Sequence, residues 1–342
     1  MPGKVSPDDL LTHVFGRTGE TDETVIQGPA DGEDAAAIDW PGGTLVVSSD
    51  PISLAASQVG TLGVHIACND VAASGADPRW LTVVLLLPTG TESDVLEAIT
   101  ADLDAAAREV GATIVGGHSE YVDTLERPLL SLTAMGATDS FVPTGGAEPG
   151  DRVILTKAAG LEGTAILAAD FGADLDVSEE TCERARSFFE EISVVPDARV
   201  LREYATAMHD PTEGGVVAGL VELARASDVR LEVDRDAVPI REETRALCGA
   251  AGVDPLRIFG SGSLLATVPA EAVEETLDAL EAAGLEGAVI GEVTDNREDG
   301  SDTGGGDEAR SGFALHLDGE AITEHVEDDL YPLWAAADEE TD

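Results

Sequence analysis

The chain has 342 residues, and at a prior of roughly 150 residues per domain this length indicates two domains. Its 68 Asp and Glu residues outnumber its 19 Lys and Arg residues, and the formal net charge of −49 excludes nucleic acid and anionic membrane surfaces as partners, because both require a basic face. Hydrophobic residues still make up 43% of the chain, so we interpret the acidic residues as a halophilic surface on a globular core, adapted to molar salt that screens charge repulsion.

The first half of the chain alternates helices with strands. The apolar spacing predicts, in chain order, a short amphipathic helix within residues 1–19, strands at 36–38 and 44–50, a helix over 62–74, a buried strand at 80–88, a long helix over 92–110, and strands at 112–117 and 129–138. The stretch "PTGGAEPGDRVILT" then combines turn residues with a new apolar strand. We therefore expect an N-terminal domain over residues 1–149 and a C-terminal domain over 150–342.

The second half has the same mixture of elements. Its pattern predicts helices at 179–192, 197–207, 214–227 and 270–283, strands at 229–234, 262–269, 288–294 and 313–319, and a flexible acidic loop near 296–312. Hairpin-like pairs occur beside the alternation of helix and strand. The pattern therefore favours a two-domain α+β fold over one doubly wound sheet.

Acidic residues occur in or beside three elements of the first half. The stretch "DGEDAAAID" places Asp31, Glu33 and Asp34 in a turn before a strand, and Asp50 ends the apolar strand "VVSSD". A solvated turn or a turn acid before proline would explain these positions equally well. Asp70 differs because it lies in a helix of small apolar residues, where a charge is costly unless it is paired or bound to a metal ion.

Two glycine pairs are accompanied by polar residues. In "IVGGHSE", Gly116 and Gly117 at a strand end would let a ligand approach the backbone near His118 and Glu120, although a β-bulge or a turn would use the same glycines. In "HDPTEGG", an acid and a threonine precede a helix that begins with two glycines. Open N–H groups at that helix start would suit a phosphate, and an ordinary N-cap box with two chance glycines is the alternative.

These features together favour a magnesium and phosphate site. Mg²⁺ prefers oxygen ligands, and four carboxylates are available at Asp34, Asp50, Asp70 and Asp210. The chain has no Walker A, kinase or GxSxG motif, so ATP would bind by another arrangement. Its three cysteines form no CxxC pair, and no leader or long apolar run is visible, so we expect a reducing, cytoplasmic location.

The order of the motifs resembles a known superfamily. "DGEDAAAID", "VVSSD", "CNDVAASGADP", "IVGGHSE", "DPTEGG" and "GSGSLLATV" follow one another as in aminoimidazole ribonucleotide (AIR) synthetase, selenophosphate synthetase, thiamine-monophosphate kinase and the hydrogenase maturation factor HypE. The chain looks most similar to HypE and to archaeal proteins related to AIR synthetase, since "DPTEGG" is closer to the HypE sequence DPTRGG than to the kinase sequence DxSDG.

The resemblance implies a two-domain PurM-like fold that pairs as a homodimer through the N-terminal sheets and binds ATP near that interface. It also implies ATP-dependent activation of an oxygen on a small molecule, with catalytic roles for Asp50, Asp210 and His118. The implied Mg²⁺ ligands are Asp34, Asp50, Asp70 and Asp210. The residues expected to line the nucleotide and its phosphates are Asn69, Gly116, Gly117, Glu120, Thr212, Gly214 and Gly215.

The sequence departs from HypE at two places. HypE proteins carry an acceptor cysteine at the C-terminus, whereas the last cysteine printed here is Cys248. His118 stands where the HypE motif GGDT has an acid. Two alternatives therefore stay open beside an enzyme acting on an unidentified small molecule: a non-catalytic nucleotide-binding maturation or regulatory partner, and a thiamine-monophosphate kinase.

Overall fold

The computed structural model describes residues 5, 7–30, 32–52, 58–295, 315–322 and 326–341. Asp31 and the predicted acidic loop near 296–312 lie outside the described residues. The helices are α1 (Pro7–His13), α2 (Val59–Ala73), α3 (Ser93–Val110), α4 (Leu161–Ile166), α5 (Glu179–Arg186), α6 (Val195–Leu201), α7 (Gly215–Ser227), α8 (Glu242–Ala251), α9 (Val273–Ala282) and α10 (Tyr331–Thr341). The strands are β1 (Val25–Gln27), β2 (Ala36–Trp40), β3 (Gly43–Ile52), β4 (Asp77–Pro88), β5 (Thr113–Val122), β6 (Leu129–Thr138), β7 (Arg152–Thr156), β8 (Ala207–His209), β9 (Arg230–Val233), β10 (Leu265–Val268), β11 (Gly287–Thr294), β12 (Leu315–Leu317) and β13 (Glu320–Ile322).

The first six strands form one sheet in the order β1-β2-β3-β6-β4-β5. Its neighbours are antiparallel except for β4 and β5, which run parallel. Helices α2 and α3 pack together, and α2 lies against β3 and β6. The long helix α3 turns Ile99, Leu103 and Ala106 to its buried face, as the apolar spacing predicts, but Val95, predicted for the same face, is exposed in the first turn. The helix ends at Gly111 with a left-handed φ of 81°.

The other seven strands form a second sheet in the order β13-β12-β9-β11-β7-β10-β8. Among these strands β12 pairs with β9 in parallel, and the remaining pairs are antiparallel. Two mixed sheets with helices confirm the predicted α+β class. Every described strand of the first sheet ends by Thr138 and every strand of the second begins at or after Arg152, so we retain the domain boundary near residue 150 as a proposal.

Several elements differ from the sequence prediction. Helices α4, α8 and α10 were not predicted, since residues 159–163 were expected to form a loop, and α6 ends at Leu201 although its pattern predicted a helix to residue 207. The difference arises because residues 207–209 pair with β10 as strand β8. Gly116 and Gly117 lie inside β5 and not at its end. Tertiary pairing decides such positions, and local propensity does not contain that information.

One apolar core joins the two sheets. Val194, Val195, Ala198 and Leu201 from α6 and the residues before it pack into the same buried cluster as α2 and the first sheet. Exposed ion pairs from α6 to Asp77 add to this contact. The acidic residues described below therefore face each other across a tightly packed boundary. Within the described part of the chain, no helix is long and apolar enough to cross a membrane.

Candidate functional site

Four predicted carboxylates come together where the two sheets meet, and we call Asp34, Asp50, Asp70 and Asp210 the acidic centre. Burial raises the pKa of Asp70 well above its usual value, and the nearby carboxylates of Asp50 and Asp210 raise it further. The pKa of Asp210 is likewise raised by burial and by Asp34 and Asp50, although the charge of His209 acts to lower it. Carboxylates far apart in the sequence therefore act on Asp70 and Asp210 in one site.

A serine joins two members of the acidic centre. Ser48 Oγ lies 2.5 Å from Asp70 Oδ2 and 3.1 Å from Asp50 Oδ2. Ser48 and Asp50 are two residues apart in β3, so their side chains lie on the same face of the strand. The hydroxyl therefore orients the carboxylate from β3 toward the one from α2.

A buried histidine ties the acidic centre to the second sheet. His209 Nδ1 lies 2.7 Å from Asp34 Oδ1, and its Nε2 lies 2.9 Å from Glu222 Oε2. Burial lowers the pKa of His209, but Asp34 and Glu222 outweigh this effect and hold the pKa well above its usual value. The ring is therefore charged at neutral pH, and this cation links the turn before β2 to helix α7.

Some oxygens of the acidic centre have no hydrogen-bond partner. Both carboxylate oxygens of Asp210 and Oδ2 of Asp34 are buried and unpartnered. No group of three or more His, Cys, Asp or Glu side chains among the described residues is arranged to hold a metal ion by itself. The donor set is that of a hard cation, and Mg²⁺ usually binds through one or two carboxylates with water and substrate phosphates as its other ligands. The acidic centre thus fits a magnesium ion that arrives with phosphate.

Asn69 is fully buried beside Asp70, and its polar atoms are already used within the protein. Its Nδ2 donates to the carbonyl oxygen of Ile192 at 2.9 Å, and its Oδ1 accepts from the backbone N–H of Val194 at the same distance. These bonds join α2 to the segment before α6. They support a structural role for Asn69, which the sequence analysis placed along the nucleotide.

The sequence predicts open N–H groups at the start of α7, but in the structure these groups are bonded within the protein. Gly214 occupies the N-cap with a φ of 77°, so Thr212 is not the cap, and the Gly214 N–H donates to Asp328 Oδ2 at 2.9 Å. The Gly215 N–H donates to the Thr212 carbonyl and the Val217 N–H to the Leu256 carbonyl. Protein acceptors therefore occupy these amides, which leaves the predicted phosphate contact at Gly214, Gly215 and Thr212 without structural support.

Steric contacts explain why the two residues at the start of α7 are glycines. Both have left-handed backbones, with φ of 77° at Gly214 and 64° at Gly215. A Cβ atom on Gly215 would lie 2.5 Å from the Ile258 carbonyl oxygen, and one on Gly214 would lie 2.8 Å from that of Val326. Close backbone packing and a left-handed conformation require glycine at both positions.

The predicted residues of β5 lie away from the acidic centre. Gly117 is in register with Asp50 across the sheet but lies three strands away from it, so the two backbones are roughly 14 Å apart. Its Cβ would overlap the Val83 carbonyl oxygen, which explains the glycine by tight strand pairing. His118 and Glu120 are exposed and form a pair at 3.5 Å. Gly116 follows a bulge at Val115, the alternative that the sequence analysis left open.

A second group of buried acids lies at the start of α7, and we call Glu162, Glu213, Asp328 and Tyr331 the capping cluster. Burial raises the pKa of Glu162 to about 7 and that of Asp328 to about 7. Burial and the neighbouring Glu213 raise the pKa of Tyr331 above its usual value. Asp328 accepts backbone hydrogen bonds from Gly214 and Leu330, so this cluster has internal donors.

The sequence analysis missed the residues that support the acidic centre. His209 stands next to Asp210 in a short apolar strand, and this juxtaposition was a usable signal for a paired histidine. Ser48 lies two residues before Asp50, the spacing that places side chains on one face of a strand. No local signal identifies Glu222, because its contact with His209 spans 13 residues and depends on the packing of α7.

The sequence matches one protein family along most of its length. The N-terminal domain of AIR synthase related proteins matches residues 32–138, and the C-terminal domain of these proteins matches residues 148–303. The chain therefore belongs to the AIR synthase related protein family, as its motifs predicted.

Individual proteins of known name are also similar to this chain. Carbamoyl dehydratase HypE of Azotobacter vinelandii is 34% identical over 275 residues, which cover 76% of this chain and 78% of the relative. A crystal structure of hydrogenase maturation protein HypE in complex with ATP has 27% identity and a TM-score of 0.62, with coverage of 86% of this chain and 88% of that one. Thiamine monophosphate kinase of Aquifex aeolicus, at 22% identity and a TM-score of 0.68 over 84% of this chain and 92% of that one, shares the fold. The chain is thus similar to HypE in sequence.

Proposed function

We propose that the protein is an enzyme that binds ATP together with Mg²⁺ and activates an oxygen of a small molecule by phosphoryl transfer. The observation that carries this proposal is the state of Asp210, whose two carboxylate oxygens are buried without a hydrogen-bond donor beside other carboxylates, with the charge of His209, already shared by Asp34 and Glu222, nearby. Such a group is costly to bury unless a cation joins it. The similarity to HypE, one structure of which is a complex with ATP, supports a nucleotide as the source of the phosphates.

One or two of the carboxylates Asp34, Asp50, Asp70 and Asp210 would hold the cation, and water and the nucleotide phosphates would supply its other ligands. Mg²⁺ bound there would supply neutralisation of the negative charge on the phosphates, which the transfer of a phosphoryl group from ATP to the accepting oxygen, with release of ADP, requires. The roles of Asp50 and Asp210 in this proposal are electrostatic and positional, which is how most phosphoryl transfer is catalysed.

The protein's own side chains prepare the acidic centre for the cation. His209 pairs with one oxygen of Asp34 and leaves the other available. Ser48 holds Asp50 and Asp70 toward each other. Because these contacts fix the carboxylates relative to one another, little reorganisation would be needed when the metal and nucleotide bind.

The nucleotide also needs phosphate donors, and the start of α7 does not offer open amides. We propose that the protein forms a homodimer through its N-terminal sheets and that β5 of a second copy, with Gly116, His118 and Glu120, lies beside the nucleotide. Strand β5 is an exposed edge of its sheet, and Val115 and Tyr121 on it are each 55% exposed. An uncovered apolar edge of this length favours pairing with another strand.

Calorimetry tests the binding step. ATP is titrated into the protein in a molar-salt buffer, with and without Mg²⁺, and we expect clear binding that strengthens when the metal is present. Asp50→Asn should reduce this metal dependence. Absence of ATP binding by the wild-type protein would refute the proposal.

A turnover assay separates the enzyme from its alternatives. The protein is incubated with Mg²⁺, ATP and a pool of metabolites, and release of ADP is measured. A protein that binds ATP but shows no stimulated release is a nucleotide-binding maturation or regulatory partner. Release stimulated by thiamine monophosphate would identify the kinase.

A further inference from the structure

A second structural feature links the two sheets close to the acidic centre. We call it the clasp: the backbone of residues 191–194, held from one side by Asn69 and from the other by Lys157 and Asp197. Asn69 and Asp197 are fully buried, and the side chain of Lys157 is 12% exposed. The proposed chemistry uses none of these three side chains.

Lys157 is surrounded by oxygen atoms. Its Nζ donates to the carbonyls of Ser193 and Gly262 at 2.7 Å each and to that of Glu191 at 3.3 Å. Asp197 Oδ2 lies 3.1 Å from the same nitrogen. Lys157 has a φ of 54°, which non-glycine residues rarely adopt, and these contacts hold it there.

The clasp connects the elements that carry the acidic centre. Asn69 precedes Asp70 in α2, so its bonds to residues 192 and 194 fix the turn of helix that carries Asp70. On the other side, Lys157 follows β7, and Gly262 lies shortly before β10, which pairs with β8. Asp210 comes directly after β8. The clasp thus joins the two halves of the acidic centre through buried polar contacts.

The acidic centre needs such a link because its members repel one another. Asp70 lies in α2 on the first sheet's side of the boundary, and Asp210 comes directly after β8 of the second sheet. Like charges drawn from two elements move those elements apart unless other contacts oppose the movement.

We propose that the clasp is a positioning device: Asn69 and Lys157 fix Asp70 relative to Asp210, and metal-dependent nucleotide binding therefore depends on side chains that touch neither the metal nor the nucleotide. This inference rests on the proposed function. Residues that orient metal ligands without touching the metal commonly change the affinity for the metal, because the geometry of the ligands depends on them.

The test compares Asn69→Ala and Lys157→Met with the control Arg199→Met. The control removes another contact between the two halves, the exposed ion pair of Arg199 with Asp77 at 2.6 Å, and leaves the clasp intact. For each variant, calorimetry gives the stoichiometry of ATP binding and the ratio of its Kd without Mg²⁺ to its Kd with Mg²⁺. The stoichiometry reports the folded fraction, and the ratio reports the metal site.

We expect Asn69→Ala and Lys157→Met to lower this ratio by roughly tenfold or more at nearly wild-type stoichiometry. Arg199→Met should change it by less than about twofold. If the first two variants do not fold, Asn69→Ser, which keeps a hydroxyl at this position, should show a smaller decrease of the same sign.

Two outcomes would overturn the inference in distinguishable ways. A lower stoichiometry with an unchanged ratio in the clasp variants would show that the clasp serves stability alone, while the proposed function stands. A wild-type protein that binds no ATP would remove the proposed function, and the inference with it.

Discussion

The acidic centre and the capping cluster both contain buried carboxyl groups, but these groups differ in their partners. In the capping cluster, Asp328 accepts backbone hydrogen bonds from Gly214 and Leu330. In the acidic centre, Asp210 accepts none, and its neighbours are other acids and one histidine. Asp328 therefore has hydrogen-bond donors within the folded chain, whereas Asp210 has the charge of His209 nearby but no donor. Burial of an acid alone is therefore a poor indicator of a site, and its neighbours must be considered with it: Asp197 is buried too, but Lys157 neutralises it.

The largest effect on stability is expected at the histidine of the acidic centre. His209→Leu removes the cation between Asp34 and Glu222 and leaves buried carboxylates unpaired, so it should lower the free energy of unfolding by about 3 kcal/mol. His118→Leu is the matched control, because that side chain is 67% exposed, and it should change stability by less than about 0.5 kcal/mol. Denaturant unfolding measures both, and equal losses would contradict the proposed pairing of His209.

The capping cluster should control how stability changes with pH. The pKa of Glu162 rises from 4.5 to about 7 on folding, so the folded protein binds the proton more tightly. Its contribution to stability is present below pH 4.5 and is lost as the pH rises through 7.

Glu162→Gln should remove this loss, which we expect to be on the order of 2 kcal/mol. The exposed Glu97→Gln is the control, because it also replaces one glutamate with glutamine but does not touch the cluster. Unfolding at several pH values measures the difference. Identical pH profiles for the wild-type protein and Glu162→Gln would show that Glu162 does not bind the proton in this way.

Substitution in the acidic centre should stabilise the protein without ligand. The folded state raises the pKa of Asp210, so ionised Asp210 opposes folding more strongly as the pH rises. Asp210→Asn keeps the shape of the side chain and should add roughly 1 kcal/mol to the free energy of unfolding near neutral pH, with a smaller gain in acid. A loss of stability in thermal unfolding would mean that Asp210 already has a partner within the protein.

The effect of salt on stability should differ between the charges on the surface and those of the acidic centre. Raising KCl from about 0.1 M to about 1 M shortens the screening length, so the wild-type Tm should rise if the surface is halophilic. The stability difference between the wild-type protein and Asp210→Asn should stay within about 0.5 kcal/mol, because a buried site is poorly screened. A difference that vanished in salt would place Asp210 in contact with solvent.

Much of the fold follows from local patterns. The apolar spacing predicted α3 nearly to its ends, because Ile99, Leu103 and Val110 bury one face of a regular helix. It also predicted that Asp70 lies inside a helix of small residues, where a buried charge signals a function. The pattern failed at β8, since its pairing with β10 is formed across more than 50 residues of chain.

The four carboxylates of the candidate site were predictable from the sequence, but most of the residues that contact them were not. Strand ends and one helix pointed to the four carboxylates, but the pairing of His209 with Glu222 depends on how α7 packs. The glycines of "HDPTEGG" were predicted to expose amides to phosphate. In the structure Gly214 and Gly215 relieve close backbone contacts, and Asp328, 114 residues away, accepts the Gly214 N–H. A glycine pair has the same appearance in a sequence whether it admits a ligand or another part of the chain.

The measurement that tests the central claim most directly compares Asp210→Asn with Asp328→Asn. Both substitutions replace a buried acid with its neutral isostere, one in the acidic centre and one in the capping cluster. The quantity is the increase in ATP affinity on addition of Mg²⁺, measured by calorimetry in molar salt. We predict that Asp210→Asn loses most of this increase, a change of at least roughly tenfold, and that Asp328→Asn retains it. Equal metal dependence in the wild-type protein and Asp210→Asn would contradict the assignment of the acidic centre as the magnesium and nucleotide site.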